Sequence, residues 1–388
     1  MYIQSLIQRQ ALQPRYCFKM SQAKIVIGLQ FGDEGKGITT DFLCTRTNDS
    51  RIVVRFSGGQ QAGHNVTIGD LSHVHSNFGS GTLRGVPSYF SEYCTFYPLT
   101  MFREMNVLKT KGITPTLYLN PRTMITTPSD VAINRIMEAK NGHGTCGLGV
   151  GSTMYRNLKT GYKLFAMDLL MPDLLHEKLK NIRNFYIDTL HSDDRRIFIK
   201  TEREEYSLFL HALEEMDYKF NIEPYTFLNK FRDIVFEGSQ GILLDMDYGS
   251  FPNVTYAHTT SKNALEICEK LRIKEIELYY VTRCYQTRHG AGWMSSEGDI
   301  SLINNQAEIN VFNEWQKKFR VGELDYDLLN YALRIDNIYS EDMRKNLVVT
   351  CLDQRPEFNF EHNKLECRIR KVFHSTSPDS KDIKWVNK

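Results

Sequence analysis

Short apolar runs recur along this chain, and most of them end in loops rich in glycine or polar residues. Lys24–Ile27, Arg51–Phe56, Asp233–Phe236, Glu277–Val281 and Asn346–Thr350 read as buried β-strands. Helical patterns lie between several of them, such as Ser261–Leu271 (SKNALEICEKL) and Asp325–Leu333 (DYDLLNYAL). This alternation predicts an α/β fold, with a mostly parallel central sheet flanked by helices. In such sheets ligands bind beyond the carboxyl ends of the strands, so the loops that follow these runs are where chemistry is expected. Residues 157–231 are richer in Lys, Arg and Glu and predict a helical layer over the sheet, inside a single domain spanning 21–388. The tail, SPDSKDIKWVNK, is expected to fray after Val372-Phe373.

With 388 residues, 41% of them hydrophobic, the chain has material for a large core. A net charge of +2, from 48 basic and 46 acidic residues, leaves no polyanion-binding footprint and argues against a nucleic-acid partner. No apolar run approaches the roughly 20 residues that cross a bilayer. Eight cysteines without a CxxC pair suit reduced thiols, and the expected location is cytoplasmic. Residues 1–20 hold basic residues and no acids; they read as a loosely ordered leader, with a targeting peptide as the alternative.

The first glycine-rich loop, Ile27–Thr39 (IGLQFGDEGKGIT), is not a standard P-loop, which would place glycine at Gln30 and a hydroxyl at Gly37. Gly32, Gly35 and Gly37 permit close backbone approach, and Lys36 supplies positive charge for phosphate. Asp33 and Glu34 stand where an incoming anion should be repelled. A carboxylate there makes sense if it takes a proton from the acceptor or shares Mg2+ with phosphates. A second loop, FSGGQQAGHN, presents Gln60, Gln61 and His64. Its amides suit a base or ribose, and its imidazole suits proton donation or oxyanion stabilisation. A third, Gly142–Thr153 (GHGTCGLGVGST), suits an anion nest. A fourth, Phe236–Thr255, presents Gln240, and a fifth, Thr282–Gly292, carries Arg283, Arg288 and His289. Val348–Asp353 delivers a carboxylate that could accept two hydrogen bonds from a guanine edge or cap a helix.

Together these loops resemble the adenylosuccinate synthetase family. Its N-terminal pattern G-x-Q-W-G-D-E-G-K-G-K stands here as Gly28-Leu29-Gln30-Phe31-Gly32-Asp33-Glu34-Gly35-Lys36-Gly37-Ile38. GGxNAGH stands as Gly58–His64, GTTGRGIGP as Gly144–Ser152, EGAQGxLLDxDxGTYPxVT as Glu237–Thr255, and STRVGAGP as Gln286–Trp293. The resemblance implies a P-loop-NTPase-like adenylosuccinate synthetase fold and a ligase that couples IMP to L-aspartate with GTP and Mg2+. ATP is the alternative donor. It implies that Asp33 is the general base at N1 of the purine and His64 the acid at the transferring phosphoryl group. It assigns Lys36 and Gln240 to the catalytic set as well, and the Asp33 carboxylate with the Gly63 carbonyl to Mg2+. Lys36, with Gly32, Glu34, Gly35 and Gly37, would hold phosphates. Gln61, Thr145, Gln240, Thr255 and Arg288 would meet the purine nucleotide, Asp353 the guanine of GTP, and Lys317 and Arg320 the amino acid. A homodimer is implied as well.

Departures from the family pattern concentrate on the amine side. The arginine-rich TTGRRRRTGW stands here as EWQKKFRVGELD, Glu314–Asp325, with Phe319 where an arginine is expected. Lysine and phenylalanine cannot reproduce a bidentate guanidinium–carboxylate clamp. TKLD has become Thr350-Cys351-Leu352-Asp353, Lys159 falls near the place of an arginine lent by a partner subunit, and His289 replaces the usual valine. Alternatives therefore stay open: a paralogue acting on dGMP or using another amino acid or donor, or a non-catalytic nucleotide-binding protein. The joint presence of Asp33, Lys36 and His64 argues against the last.

Overall fold

The computed structural model describes residues 21–45, 50–142, 145–303 and 319–386. In chain order the strands begin with β1 (Gln22–Gly28), β2 (Arg51–Arg55), β3 (His64–Ile68), β4 (Leu71–His75), β5 (Ser88–Phe90), β6 (Thr95–Phe96), β7 (Leu117–Leu119) and β8 (Met124–Ile125). They continue with β9 (Asn221–Ile222), β10 (Asp233–Gly241), β11 (Glu275–Arg283), β12 (Tyr285–His289), β13 (Phe319–Glu323), β14 (Arg344–Thr350), β15 (Lys371–Ser375) and β16 (Ile383–Val386). The α-helices are α1 (Lys36–Cys44), α2 (Pro98–Thr110), α3 (Pro128–Asn141), α4 (Val150–Lys159), α5 (Pro172–Thr189), α6 (Ser192–Glu215), α7 (Lys262–Lys270) and α8 (Tyr326–Ser340).

A ten-stranded sheet in the order β16-β15-β14-β11-β1-β10-β2-β5-β7-β9 organises the chain. All its neighbours pair in parallel except β15 with β16. Along β1, Ile25 and Ile27 enter one apolar cluster with α7 and α8, while Val26 enters another with α1, so both faces are covered. This two-sided burial is why the parallel strands read as near-continuous apolar runs. The five runs expected as strands fall on β1, β2, β10, β11 and β14, with only Phe56 beyond the end of its strand. From β1 the chain steps to β2 on one side, then returns through β10 and β11 to flank β1. The loops after these strands therefore converge on one crevice at their carboxyl ends.

The helix-rich region is α4 to α6, whose apolar residues, such as Leu179, Phe198 and Phe209, share a cluster with Phe90 and Leu119 of the sheet. The tail does not fray as the sequence suggested. After Asp379 caps a short 3₁₀ turn, β16 adds an antiparallel edge to β15, with Ile383 buried and Ser380 bonded to Asp41 of α1. The leader at 1–20 lies outside the described residues.

One buried polar knot ties α3, α4 and α5 together. Asp130 accepts Arg156 Nε (2.9 Å) and Nη2 (2.8 Å), the Thr127 N–H (2.8 Å) and the Tyr186 hydroxyl (2.7 Å). Both charged partners are fully buried. Asp130→Ala leaves the Arg156 charge stranded and is expected to cost about 3–5 kcal/mol in urea-unfolding free energy; a cost below about 1 kcal/mol would mean that the knot is not structural.

Candidate active site

The first loop owes its shape to an acid turned inward. Glu34, fully buried, accepts the N–H groups of Gln30 and Gly32 at 3.0 Å each and pairs with Lys36. Gly28 and Gly241 make room for it: a Cβ on either would lie 2.2 Å or 2.3 Å from a Glu34 carboxylate oxygen. Neighbouring strands hold the same loop from outside, with Thr350 Oγ1 donating to the Glu34 carbonyl (2.6 Å) and Arg283 Nε to the Asp33 carbonyl (2.6 Å). Asp33 itself adopts the left-handed region (φ 62°) and its carboxylate points away from Glu34's pocket to meet His289 Nε2 at 3.2 Å. Burial alone would raise the Asp33 pKa, but the hydrogen bond and charge of His289, with Arg283 and Lys36, outweigh it and hold the carboxyl below its ordinary value. The expected phosphate-holding pair, Glu34 and Lys36, thus spend their charges on each other in this structure.

Beside this loop stands an imidazole with a buried carboxylate behind it. A Cβ at Gly37 would lie 2.8 Å from His64 Cβ, so the start of α1 packs directly on the Gly63–His64 turn. His64 Nδ1 lies 2.7 Å from Glu237 Oε1, and Glu237 also accepts the Ser80 N–H (3.1 Å) and its hydroxyl. Arg55 stands in register with Glu237 across β2 and β10, fully buried over the Phe90 ring. Burial pushes Glu237 up, but His64, Arg55 and Ser80 bring it down to about 2, so it is ionised at neutral pH. Burial, helped by Arg55 and Lys36, keeps the His64 pKa below the usual imidazole value against the pull of Glu237. Sequence reasoning missed Glu237, Arg55 and Ser80 as parts of the site; the one signal was a charged residue ending each of two apolar strands, VVRF and IVFE.

The remaining expected residues divide. Gln240 (φ 55°) sits beside Gly32, and its Nε2 donates to Thr255 Oγ1 at 2.9 Å, which brings two expected nucleotide contacts together at the Asp33 loop. The second loop joins them through Ser57 and Ser239, 3.1 Å apart. There Gln60 is structural, bonded to Thr126, Leu148 and Thr95, while the Gln61 Oε1 is buried without a hydrogen bond. Thr145 lies 3.4 Å from Asn134, and Asp353 sits half-buried in the turn after β14. Arg288 and Arg320, paired across β12 and β13, are scaffolding here. Arg288 donates to the carbonyls of Trp293 and Asn253 and lies over the Phe31 ring; Arg320 donates to those of Gly290 and Gly292 and pairs with Glu297. Phe319 packs on His289 at 4.9 Å. Lys317 lies outside the described residues.

The family model for adenylosuccinate synthetase matches residues 25–358. The chain belongs to the adenylosuccinate synthetase family. Its members are ligases that form a C–N bond. The adenylosuccinate synthetase of Clostridium botulinum is 32% identical over 349 residues, covering 85% of this chain and 78% of its own. That of Thermoplasma volcanium is 30% identical over 327 residues, covering 82% and 74%. Two solved structures share the adenylosuccinate synthetase fold. Fully ligated adenylosuccinate synthetase from Plasmodium falciparum matches with a TM-score of 0.68 at 19% identity, over 94% of this chain and 99% of that one. Cyanophage S-2L succinoaminodeoxyadenylate synthetase, bound to dGMP and dATP as an energy donor, matches with a TM-score of 0.63 at 13% identity, over 95% and 97%. Among the described residues no helix is long and apolar enough to cross a membrane.

In this member of the adenylosuccinate synthetase family, His289 sets the charge state of Asp33. His289→Val removes the hydrogen bond that lowers the Asp33 pKa and leaves the burial that raises it. The acid limb of the kcat/KM–pH profile is then expected to move to higher pH. An unmoved limb would separate His289 from the titration of Asp33.

Proposed function

We propose that the chain is an adenylosuccinate synthetase: it joins IMP and L-aspartate, using GTP as phosphoryl donor and Mg2+, through a 6-phosphoryl purine intermediate. The observation that carries this reading is the division of labour between adjacent acids, Glu34 folded into the loop and Asp33 held outside it against His289. Asp33, ionised at neutral pH, takes the N1 proton of the purine. Electron density moves to O6, which attacks the γ-phosphorus as the bond to the β-phosphate oxygen breaks and GDP leaves. Glu237 accepts from His64 Nδ1, which leaves Nε2 to meet the transferring phosphoryl oxygens. Arriving phosphate charge offsets the burial that keeps His64 neutral, so the imidazole takes up a proton together with the nucleotide. The amine of aspartate then adds at C6, loses a proton, and inorganic phosphate departs with O6.

The Asp33 carboxylate and the Gly63 carbonyl are oxygen donors of the kind Mg2+ takes, in two segments that pack against each other. Bound there, the ion would neutralise phosphate charge during transfer. Gln61, Thr145, Gln240 and Thr255 contact the purine nucleotide in this reading, and Asp353 selects guanine, with ATP as the alternative donor. Lys36 reaches phosphate by exchanging its bond to Glu34, and the active form is a homodimer.

A second reading, the same chemistry with a different amine or purine, is favoured by one observation. Arg288 and Arg320 each already donate twice to backbone carbonyls, and Phe319 stands beside His289. A carboxylate clamp there would have to be built differently.

Phosphate release from purified protein with GTP, Mg2+, IMP and aspartate, with the product identified by mass spectrometry, tests the first reading. Release seen only with dGMP, GMP, ATP or another amino acid selects the second, and none with any combination rejects both. Asp33→Asn and His64→Asn are each expected to lower kcat by about 10²–10⁴-fold with unchanged far-UV circular dichroism. Near-normal turnover in Asp33→Asn would remove it as the base.

A further inference from the structure

The β3–β4 hairpin begins with His64, and its returning strand carries a second cluster that the proposed chemistry does not use. His73 and His75 occupy alternate positions of β4 and share its buried face. Glu104 of α2 meets them there: its Oε1 lies 3.4 Å from His73 Nε2 and 3.8 Å from His75 Nδ1. The two imidazoles are 4.7 Å apart between ring centres. Glu104 is fixed from behind by the N–H groups of Ser76 and Asn77 and by the Asn77 side-chain amide. His75 is fully buried, yet neither of its ring nitrogens makes a hydrogen bond. Such a group costs free energy unless something engages it. Burial and the neighbouring His73 lower its pKa to about 3, so the ring is neutral with a lone pair available.

We propose that His73, His75 and Glu104 bind a divalent transition-metal ion, with Zn2+ the best match. Two imidazole nitrogens and one carboxylate oxygen are a zinc donor set that leaves the fourth position to water. Bonds of about 2.0–2.1 Å in a tetrahedron place the donor atoms about 3.3 Å apart. The observed 3.4 Å and 3.8 Å separations approach that spacing, and all three donors lie within 4.8 Å of one another. The carboxylate's N–H bonds are the outer support that orients a metal ligand. One group opposes the ion: Lys111 Nζ, 3.3 Å from His73 Nδ1, holds the His73 proton on Nε2. Lys111 is exposed and can turn away into water. The ion would fasten β4 to α2 and, because His75 pairs with His64 across the hairpin, brace the strand that carries the proposed acid.

Metal-stripped full-length protein titrated with Zn2+ against a chromophoric chelator is expected to take up one equivalent and to unfold at a higher temperature when loaded. Co2+ in its place should give the intense visible bands of a four- or five-coordinate nitrogen–oxygen site. His73→Asn and His75→Asn should each weaken Zn2+ binding by at least about a hundredfold. Glu104→Gln, which keeps an acceptor for Ser76 and Asn77 and so preserves the fold, should weaken it at least tenfold, and Lys111→Gln should strengthen it. Asp33→Asn should leave it unchanged, since the nucleotide-site ion is a separate matter. Absence of Zn2+ uptake by folded wild-type protein at micromolar metal would overturn the proposal. So would uptake that persists in Glu104→Gln and in the His73→Asn/His75→Asn double variant.

Discussion

A buried carboxylate is costly unless its oxygens are engaged, and Glu34 meets that condition inside its own loop, with two backbone N–H groups and the Lys36 ammonium. The rest of the site depends on this arrangement. Turning Glu34 inward curls Gln30–Gly35 around its side chain, and Asp33 is left on the outer side of the curl in a left-handed conformation. Residues far away in sequence accommodate the same carboxylate, since neither Gly28 at the end of β1 nor Gly241 at the end of β10 has space for a Cβ. β11 and β14 then fasten the loop's carbonyls through Arg283 and Thr350. Four strands of the sheet thereby set where one aspartate stands, so a site residue on a loop inherits the rigidity of the sheet.

The second charged system is organised by the sheet as well. Arg55 at the end of β2 stands in register with Glu237 within the parallel neighbour β10, which puts opposite charges side by side. Glu237 hydrogen-bonds His64 and Ser80 and is balanced by Arg55, so its charge is retained at depth. A fixed anion behind Nδ1 holds the ring orientation of His64 and favours its protonated form. Burial works the other way in the absence of ligand. The two influences make the proton on His64 depend on what occupies the crevice.

The sequence made the strands at the sheet centre legible because burial on both faces leaves short apolar runs that nothing else in the chain imitates. The Asp33, His64 and Gln240 loops were legible for a related reason: each follows such a run and carries glycines. What stayed hidden depended on partners distant in the chain. The pairing of Glu34 with Lys36 stayed hidden as well, since it needs the fold of the loop to be known. Arg288 and Arg320 read as substrate contacts because carbonyl acceptors at Asn253, Trp293, Gly290 and Gly292 have no sequence signature. The edge strand β16 escaped because its polar alternation resembles a tail until β15 is there to pair with it.

Arg288 and Arg320 both hold neighbouring loops through their backbone carbonyls. A guanidinium that donates to several carbonyls fixes a loop with high geometric precision, but it has fewer donors left for a carboxylate ligand. Arg320 fixes Gly290–Gly292, and the same segment positions His289, which in turn holds Asp33. Phe319 covers the other side of the His289 ring where an arginine would bring a second positive charge. An arginine at that position would repel a protonated His289 and compete for Asp33.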